Sequence, residues 1–384
     1  MKKIAITVVS LILLTSCQES MSHLSKRVFE LAEGQIELMD QRVPDGQYAA
    51  CFQGDSLYCV NNRLWCAGFF PGTAWLTYEK TGDPAILEIA TRRTEALEFL
   101  KTRTDTHDLG FEMMCSFGNG LRVSGNEHYA EVLDTAAHSL IKRFSPVVGS
   151  IQSWSNKWNT YHFPVIIDNM MNLELLLKVW KMTGDEQLKD VAVTHANTTL
   201  ANHFRPDNSS FHVVDYNPAD GSVLARVTHQ GYSDDSAWAR GQAWGVYGYT
   251  VMYRFLRDPA YLAQAEKIAD YILSRLPEDM VPYWDYDDPA IPDAPRDASA
   301  AAITASALIE LDGYIPAKGY RKNAEKILRS LAGPEYLSKP GQNGGFILMH
   351  STGNKPKGAE IDVPLSYADY YFLEALGRFT SSCR

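Results

Sequence analysis

An all-α chain folded as an (α/α)6 barrel, six helical hairpins around one axis, is the class this sequence predicts, and three observations predict it. Apolar residues recur at i, i+3, i+4 and i+7 from end to end, while few stretches alternate as strands do. Four phrases share one local pattern: TGDPAILEIA at 81–90, SGNEHYAEVL at 124–133, TGDEQLKDVA at 183–192 and RDPAYLAQAEKIA at 257–269. Gly82, Gly125 and Gly184 suit a left-handed helix end, and the Asp or Asn that follows suits the next cap, so each phrase marks a tight helix–helix hairpin. The 384 residues are 45% hydrophobic and 11% aromatic, which supports a large buried core.

Taken in order, the periodic stretches predict helices near 22–39, 67–82, 84–103, 109–117, 126–144, 166–183, 185–204, 234–256, 258–275, 296–313, 317–331 and 364–380. The hairpin phrases recur at uneven intervals of roughly 40–75 residues, which fits hairpins separated by variable loops better than a regular solenoid. Twelve helices pair as six hairpins, whose inner members turn their ends towards one central pocket. No linker or low-complexity stretch divides residues 18–384, which are read as one barrel domain. Loops at 145–164, 205–233, 277–297 and 332–363 are long, and long loops on a rigid scaffold carry function.

Formal net charge is −10 and no Lys/Arg run stands out, so the electrostatic footprint of a nucleic-acid binder is missing. The chain begins MKKIAITVVSLILLTSC: two lysines, an apolar run too short to span a bilayer, then small residues before Cys17. These are signal-peptide proportions, and Leu14-Thr15-Ser16-Cys17 resembles a bacterial lipobox. The expectation is a lipoprotein leader over residues 1–17, lipidation of Cys17, export, and a periplasm-facing membrane anchor. Cys51, Cys59, Cys66, Cys115 and Cys383 remain, an odd number without a CxxC pair or a zinc spacing. A disulfide among the first three stays open beside free buried thiols.

Two carboxylates and one dense segment carry the chemistry. In IIDNMMNLELL, residues 166–176, helical spacing puts Asp168 on the side of Val165, Met171 and Leu175, which is the buried one. A carboxylate there is costly unless paired, hydrogen-bonded or protonated; a raised pKa suits a general acid, and a first-turn cap or core ion pair is the other reading. Asp108 in HDLGF, 107–111, lies at a loop-to-helix junction, where a carboxylate caps or faces a cleft. In THQGYSDDSAWARGQAWGVYGYT, 228–250, Gly241, Gly245 and Gly248 form a smooth stripe for close helix approach, with Asp234 or Asp235 as the expected cap. Around that stripe sit Trp238, Arg240, Gln242 and Trp244, the side chains of a uronate site as well as of an ordinary core.

HDLGF, IIDNMMNLELL, the run HANTT to RPDNSSFH at 195–212, THQGYSDDSAWARGQAWGVYG and EIDVPLSYADYYFLEAL at 360–376 together resemble unsaturated glucuronyl hydrolases of glycoside hydrolase family 88. The resemblance covers nearly the whole chain after the leader, and the family fold is the (α/α)6 barrel reached above without it. It implies hydration of the C4=C5 double bond that polysaccharide lyases leave on a non-reducing uronate, with release of the uronate and the partner sugar of a glycosaminoglycan disaccharide. It further implies Asp168 as general acid and then base, and Asp108 as the carboxylate that orients substrate and influences Asp168. Trp154 and Trp244 resemble the family's stacking aromatics, as does Trp65; His212, Gln230, Trp238 and Arg240 match positions lining the pocket. No cofactor and no metal are expected, because an acid, a base and water suffice.

One departure concerns sulfate. In relatives preferring sulfated disaccharides a C-terminal loop carries serines and a lysine; here HSTGNKPKG, 350–358, keeps Ser351, has Asn354 where a second serine would sit, and shows Lys355 and Lys357 flanking Pro356. The rival readings are an unsaturated rhamnogalacturonyl hydrolase with the same chemistry on pectin fragments, and a non-catalytic glycan-binding lipoprotein. A sugar epimerase is weaker, because the histidines lie mainly in or beside loops. The expected partners are thus an unsaturated oligosaccharide and, through the lipid alone, a membrane.

Overall fold

The computed structural model describes residues 19–155 and 161–381; the leader with Cys17, residues 156–160 and the end with Cys383 lie outside them. Six helical segments form an inner ring: α2 (Phe69–Thr81), α4 (Leu109–Met113) running through one π turn into α5 (Asn119–Ser124), α7 (Asn169–Thr183), α9 (Ala239–Leu256), α11 (Ala298–Tyr314) and α13 (Ser366–Ser381). Each packs on the next and α13 packs back on α2, closing the ring. Outside stand α1 (Met21–Arg42), α3 (Pro84–Glu95), α6 (Glu127–Leu140), α8 (Glu186–Asn202), α10 (Pro259–Arg275) and α12 (Tyr320–Leu331). The architecture is the (α/α)6 barrel.

Sequence decides which helix goes where. In α11 nearly every residue from Ala298 to Leu311 is buried, as a helix apolar on all sides must be. In α12 only Tyr320, Ala324, Ile327, Leu328 and Leu331 are buried, one stripe facing inward. The inner ring is tight because small residues let backbones meet. A Cβ on Gly248 would lie 2.5 Å from Met170 Cβ, and one on Gly110 would lie 2.5 Å from Asn172 Cα.

The hairpin phrases form as expected. Asp83, Asn126, Asp185 and Asp258 accept the N–H two residues on, at 2.8–3.1 Å. Gly82, Gly125, Gly184 and Arg257 end the preceding helices with φ of 73°, 69°, 77° and 58°. These tight turns leave the C-termini of inner helices, so every long loop leads into an inner N-terminus, and all six N-termini share one end of the barrel.

Three expectations need correction. The helix expected from 166 starts at Asn169, after a strand β5 (Pro164–Ile166), because Val165 and Ile166 are β-branched and pair with a strand from the next long loop. The helix expected from 234 starts at Ala239, with Trp238 in the cap position; Asp234 instead accepts Thr228 N–H at 2.8 Å, and neither Asp234 nor Asp235 caps it. Strands are more numerous than the alternation suggests. The long loops hold a hairpin of β1 (Gln47–Gln53) and β2 (Ser56–Asn61), a short pair β3 (Phe144–Ser145) and β4 (Ser150–Ile151), and a sheet in which β5 pairs with β6 (Val213–Tyr216) and β6 with β7 (Val223–Val227). Gly54 and Asp55, both at positive φ, make the first hairpin's two-residue turn, the type that matches strand twist. Among the described cysteines, Cys51, Cys59, Cys66 and Cys115 are free thiols.

Candidate active site

The long-loop end gathers most of the residues singled out in the sequence. Asp168 occupies the junction between β5 and α7 and caps nothing with its side chain. It is 9% exposed, and its Oδ2 has no hydrogen-bond partner among the described residues. Burial pushes its carboxyl up to about 7 with help from the Asp108 charge, against the pull of His107 and Arg240.

Asp108 stands at the cap position of α4, and it too leaves the helix uncapped. Thr106 Oγ1–H donates to its Oδ2 at 2.7 Å, and His107 Nε2 lies 3.1 Å from its Oδ1. Burial alone would raise this carboxyl; the His107 charge and hydrogen bond, Thr106 and Arg103 outweigh it and hold Asp108 below the usual range. Two neighbouring carboxylates are thus driven in opposite directions, as when an acid and an ionised partner must coexist.

His212 links the two loops beside Asp168. Its Nδ1 accepts the backbone N–H groups of His229 and Gln230 at 3.1 and 3.0 Å, so the proton of the neutral ring sits on Nε2, 3.8 Å from Asp168 Oδ2. Burial, with His229 and Arg240 nearby, keeps this ring far below the ordinary histidine range. Trp238 lies against it, ring centroids 4.6 Å apart.

Arg240 is 1% exposed one residue into α9 and is fixed from three directions. Nη1 donates to Asp297 Oδ2 at 2.7 Å and to Thr352 O at 2.6 Å, and Nη2 donates to Gly353 O at 2.6 Å. Three of its five N–H groups are committed, which leaves Nε and one Nη2 hydrogen for a ligand. Gln230 Nε2 donates to the same Gly353 oxygen at 3.1 Å.

The aromatic residues divide. Trp154 stays partly exposed, 5.4 Å from the His229 ring, and Trp65 stays partly exposed, 5.0 Å from Tyr367. Trp244 is fully buried between Phe111 and Tyr371, at 5.1 and 5.6 Å, so it forms floor rather than an open stacking face. In the C-terminal loop, Ser351 is fully buried with an unpartnered Oγ, and Asn354 Oδ1 is also unpartnered among the described residues. Lys355 is tied to Asp288 at 2.8 Å and lies 4.8 Å over Trp284, whereas Lys357 reaches His229 Nε2 at 2.9 Å. Lys357 is therefore the loop lysine beside Trp154.

Sequence reasoning missed His107, Asp297 and Tyr367. His107 carried a signal, being adjacent to Asp108. Asp297 opens α11 as an ordinary cap, accepting Ser299 N–H at 3.0 Å, and only the fold brings it to Arg240. Among the described residues no group of three His, Cys, Asp or Glu has metal-holding geometry.

A carboxyl raised by burial, a second held ionised near it and a buried arginine, at one end of an (α/α)6 barrel, make an arrangement suited to a carbohydrate-processing enzyme. Residues 40–375 match Glycosyl Hydrolase Family 88, and the chain belongs to that family of hydrolases. It is 51% identical to an unsaturated glucuronyl hydrolase of Formosa agariphila over 83% of this chain and 80% of the relative. It is 36% identical to an unsaturated chondroitin disaccharide hydrolase of Streptococcus agalactiae, over 83% and 82%. Among solved structures, an unsaturated glucuronyl hydrolase specific for heparin superposes with a TM-score of 0.91 at 44% identity, covering 94% of this chain and 98% of that one.

Proposed function

We propose that this chain hydrates the C4=C5 double bond of the unsaturated uronate at the non-reducing end of lyase-generated glycosaminoglycan disaccharides. The observation that carries the reading is the buried Asp168 carboxyl, whose Oδ2 has no partner among the described residues and lies 3.8 Å from His212 Nε2, together with an Asp108 held by Thr106 and His107. Protonated Asp168 gives its proton to C4, and positive charge develops at C5, shared with the ring oxygen. Water adds at C5 and returns a proton to the Asp168 carboxylate. The resulting hemiketal opens to a C5 ketone, and the hemiacetal left at C1 collapses and releases the partner sugar. Burial, helped by the Asp108 charge, holds the Asp168 proton up to about pH 7; ionised Asp108 orients the uronate, while His212 Nε2–H lies beside Asp168 to steady its anion.

The free donors of Arg240, with Gln230 and Trp238, suit the polar edge of the uronate; Trp65 and Trp154 suit ring faces. A Streptococcus agalactiae relative, TM-score 0.81 at 30% identity, was solved with dGlcA-GalNAc6S, which supports this substrate class. Ultraviolet absorbance of the conjugated double bond tests the reading. Rapid loss on a glycosaminoglycan disaccharide, absent in Asp168→Asn, is expected. Loss only on the rhamnogalacturonan product moves the substrate to pectin, and loss on none leaves a glycan binder.

We propose further that residues 1–17 are a lipoprotein leader and that lipid on Cys17 tethers the barrel to a membrane facing the periplasm. Labelled palmitate should enter the protein and be lost in Cys17→Ala; digestion by protease on intact cells would overturn the periplasmic side.

A further inference from the structure

The loop from Ser351 to Val363 folds back on itself across the site. Ser351 pairs with Val363, and Asn354 pairs with Ala359. Two of its non-glycine residues, Glu360 and Asp362, and His350 just before it, hold left-handed φ of 54°, 56° and 60°. Such backbone is costly for L-residues and persists where surroundings over-determine it, often at ligand clamps. Glu360 is the unusual member. Its backbone oxygen accepts Gly353 N–H at 2.7 Å, and its side chain lies so flat on Gly353 that a Cβ there would come 2.0 Å from Oε2. Gly353 is the residue whose carbonyl receives both Arg240 and Gln230.

The Glu360 carboxylate has no hydrogen bond or ion pair among the described residues and is only partly exposed; burial raises it, against the pull of the nearby Arg240 cation. Its charge acts on Arg240, on Tyr367 beside Trp65, and on the thiols of Cys66 and Cys51, and its contact with Gly353 sets it next to the carbonyl that holds Arg240. A half-buried carboxylate without a partner is a poor structural element and a good acceptor for a donor that arrives with a ligand. The opposite corner, at Trp154 and His229, carries Lys357 instead. The loop therefore sets a carboxylate against Gly353 and a cation against His229.

We infer that Glu360 is a specificity residue: its carboxylate accepts a hydroxyl or ammonium donor of the sugar at the Gly353–Trp65 wall and excludes a sulfate ester at that position. The inference rests on the hydrolase reading above and sets which sulfation isomers that site accepts. Like charges held in a pocket shielded from solvent repel strongly, whereas a sulfate turned towards Lys357 meets no such penalty.

The test is a panel of unsaturated disaccharides, unsulfated and singly sulfated on the uronate 2-hydroxyl, the amino group or the 6-hydroxyl, assayed with wild type and Glu360→Gln. One sulfated isomer should be used more than ten-fold worse than its unsulfated counterpart by wild type, and Glu360→Gln should raise that isomer's relative kcat/KM at least ten-fold. Ratios that stay the same in both proteins overturn the inference while leaving the hydrolase reading intact. Turnover of no member of the panel overturns both.

Discussion

The two ends of the barrel are both rich in charge, and they use it in opposite ways. At the end where the inner helices finish, Arg254 meets Glu174 and Glu310, each at 2.5 Å, and Arg378 meets Glu310 and Glu374 at 3.0 and 3.2 Å. Tyr247 and Ser306 hydroxyls complete Glu374, at 3.0 and 2.5 Å. At the end where they begin, several buried groups lack partners among the described residues: Asp168 Oδ2, His212 Nε2, His107 Nδ1 and the Trp238 indole N–H, with that of Trp244 one turn deeper. A cavity of about 510 Å³ opens at the ion-paired end, lined by Tyr247, Glu174 and Arg254 among others. Volume thus does not locate the chemistry, whereas missing partners do. Guanidiniums at helix C-termini and free donors at helix N-termini also follow the helix dipole, which favours cations at the first end and an anionic substrate at the second.

The largest expected effect breaks the orphaned end. Asp168→Asn should lower turnover by about 10³-fold, the scale of a lost general acid. Its stability should move the other way. A carboxyl whose folded pKa is raised stabilises the fold at low pH and loses that contribution as pH rises through about 7. The variant should therefore be more stable than wild type at pH 8, on the order of 1–3 kcal/mol by denaturant titration, and equal stability would count against a buried, protonated Asp168.

Next is the paired end. Arg254→Met strands the largely buried Glu174 and leaves Glu310 to Arg378 and Tyr314, and should cost about 3 kcal/mol in unfolding free energy, while kcat/KM of the folded protein stays within about three-fold. Arg240→Met should lose both, since Asp297 is stranded and the site's free donors disappear. Equal activity losses from the two substitutions would erase the distinction between the ends.

A smaller effect reads the coupling within the site. With Asp168 as acid, kcat/KM should fall above about pH 7, and the limb that needs ionised Asp108 should lie below the ordinary carboxylate range. Removing the like charge in Asp108→Asn should shift the alkaline limb to lower pH, by up to about one unit, in whatever activity survives. A shift upward would reverse the assigned relation between the two carboxylates.

The paired end was more legible in sequence than the orphaned one, for a physical reason. Helix periodicity, caps such as Asp185 and the glycine stripe are local, so twelve helices and their tight turns could be read directly, and Gly248 does receive Met170 as a smooth face should. The site end is made by long loops in which non-local pairing wins. Asp168 looked like a residue inside a helix that begins at 166, but β5 pairing with β6 pulls Val165 and Ile166 out of the helix and leaves Asp168 at its start. Its burial was legible; its place beside His212, the pairing of Asp108 with His107, and the fixing of Arg240 by Asp297 and by the 352–353 carbonyls, required the fold.

The smallest effect separates two tryptophans that looked alike in sequence. Trp154→Ala removes a partly exposed ring and should reduce kcat/KM about ten-fold, in line with about 1 kcal/mol for an aromatic contact beyond its buried area, with little change in unfolding midpoint. Trp244→Ala removes a fully buried ring from the floor and should act on stability first, by about 3–5 kcal/mol. Measuring both quantities for both variants is what distinguishes wall from floor. If Trp244→Ala left stability untouched and only raised KM, the floor would have to open in the working enzyme and Trp244 would be a stacking face after all.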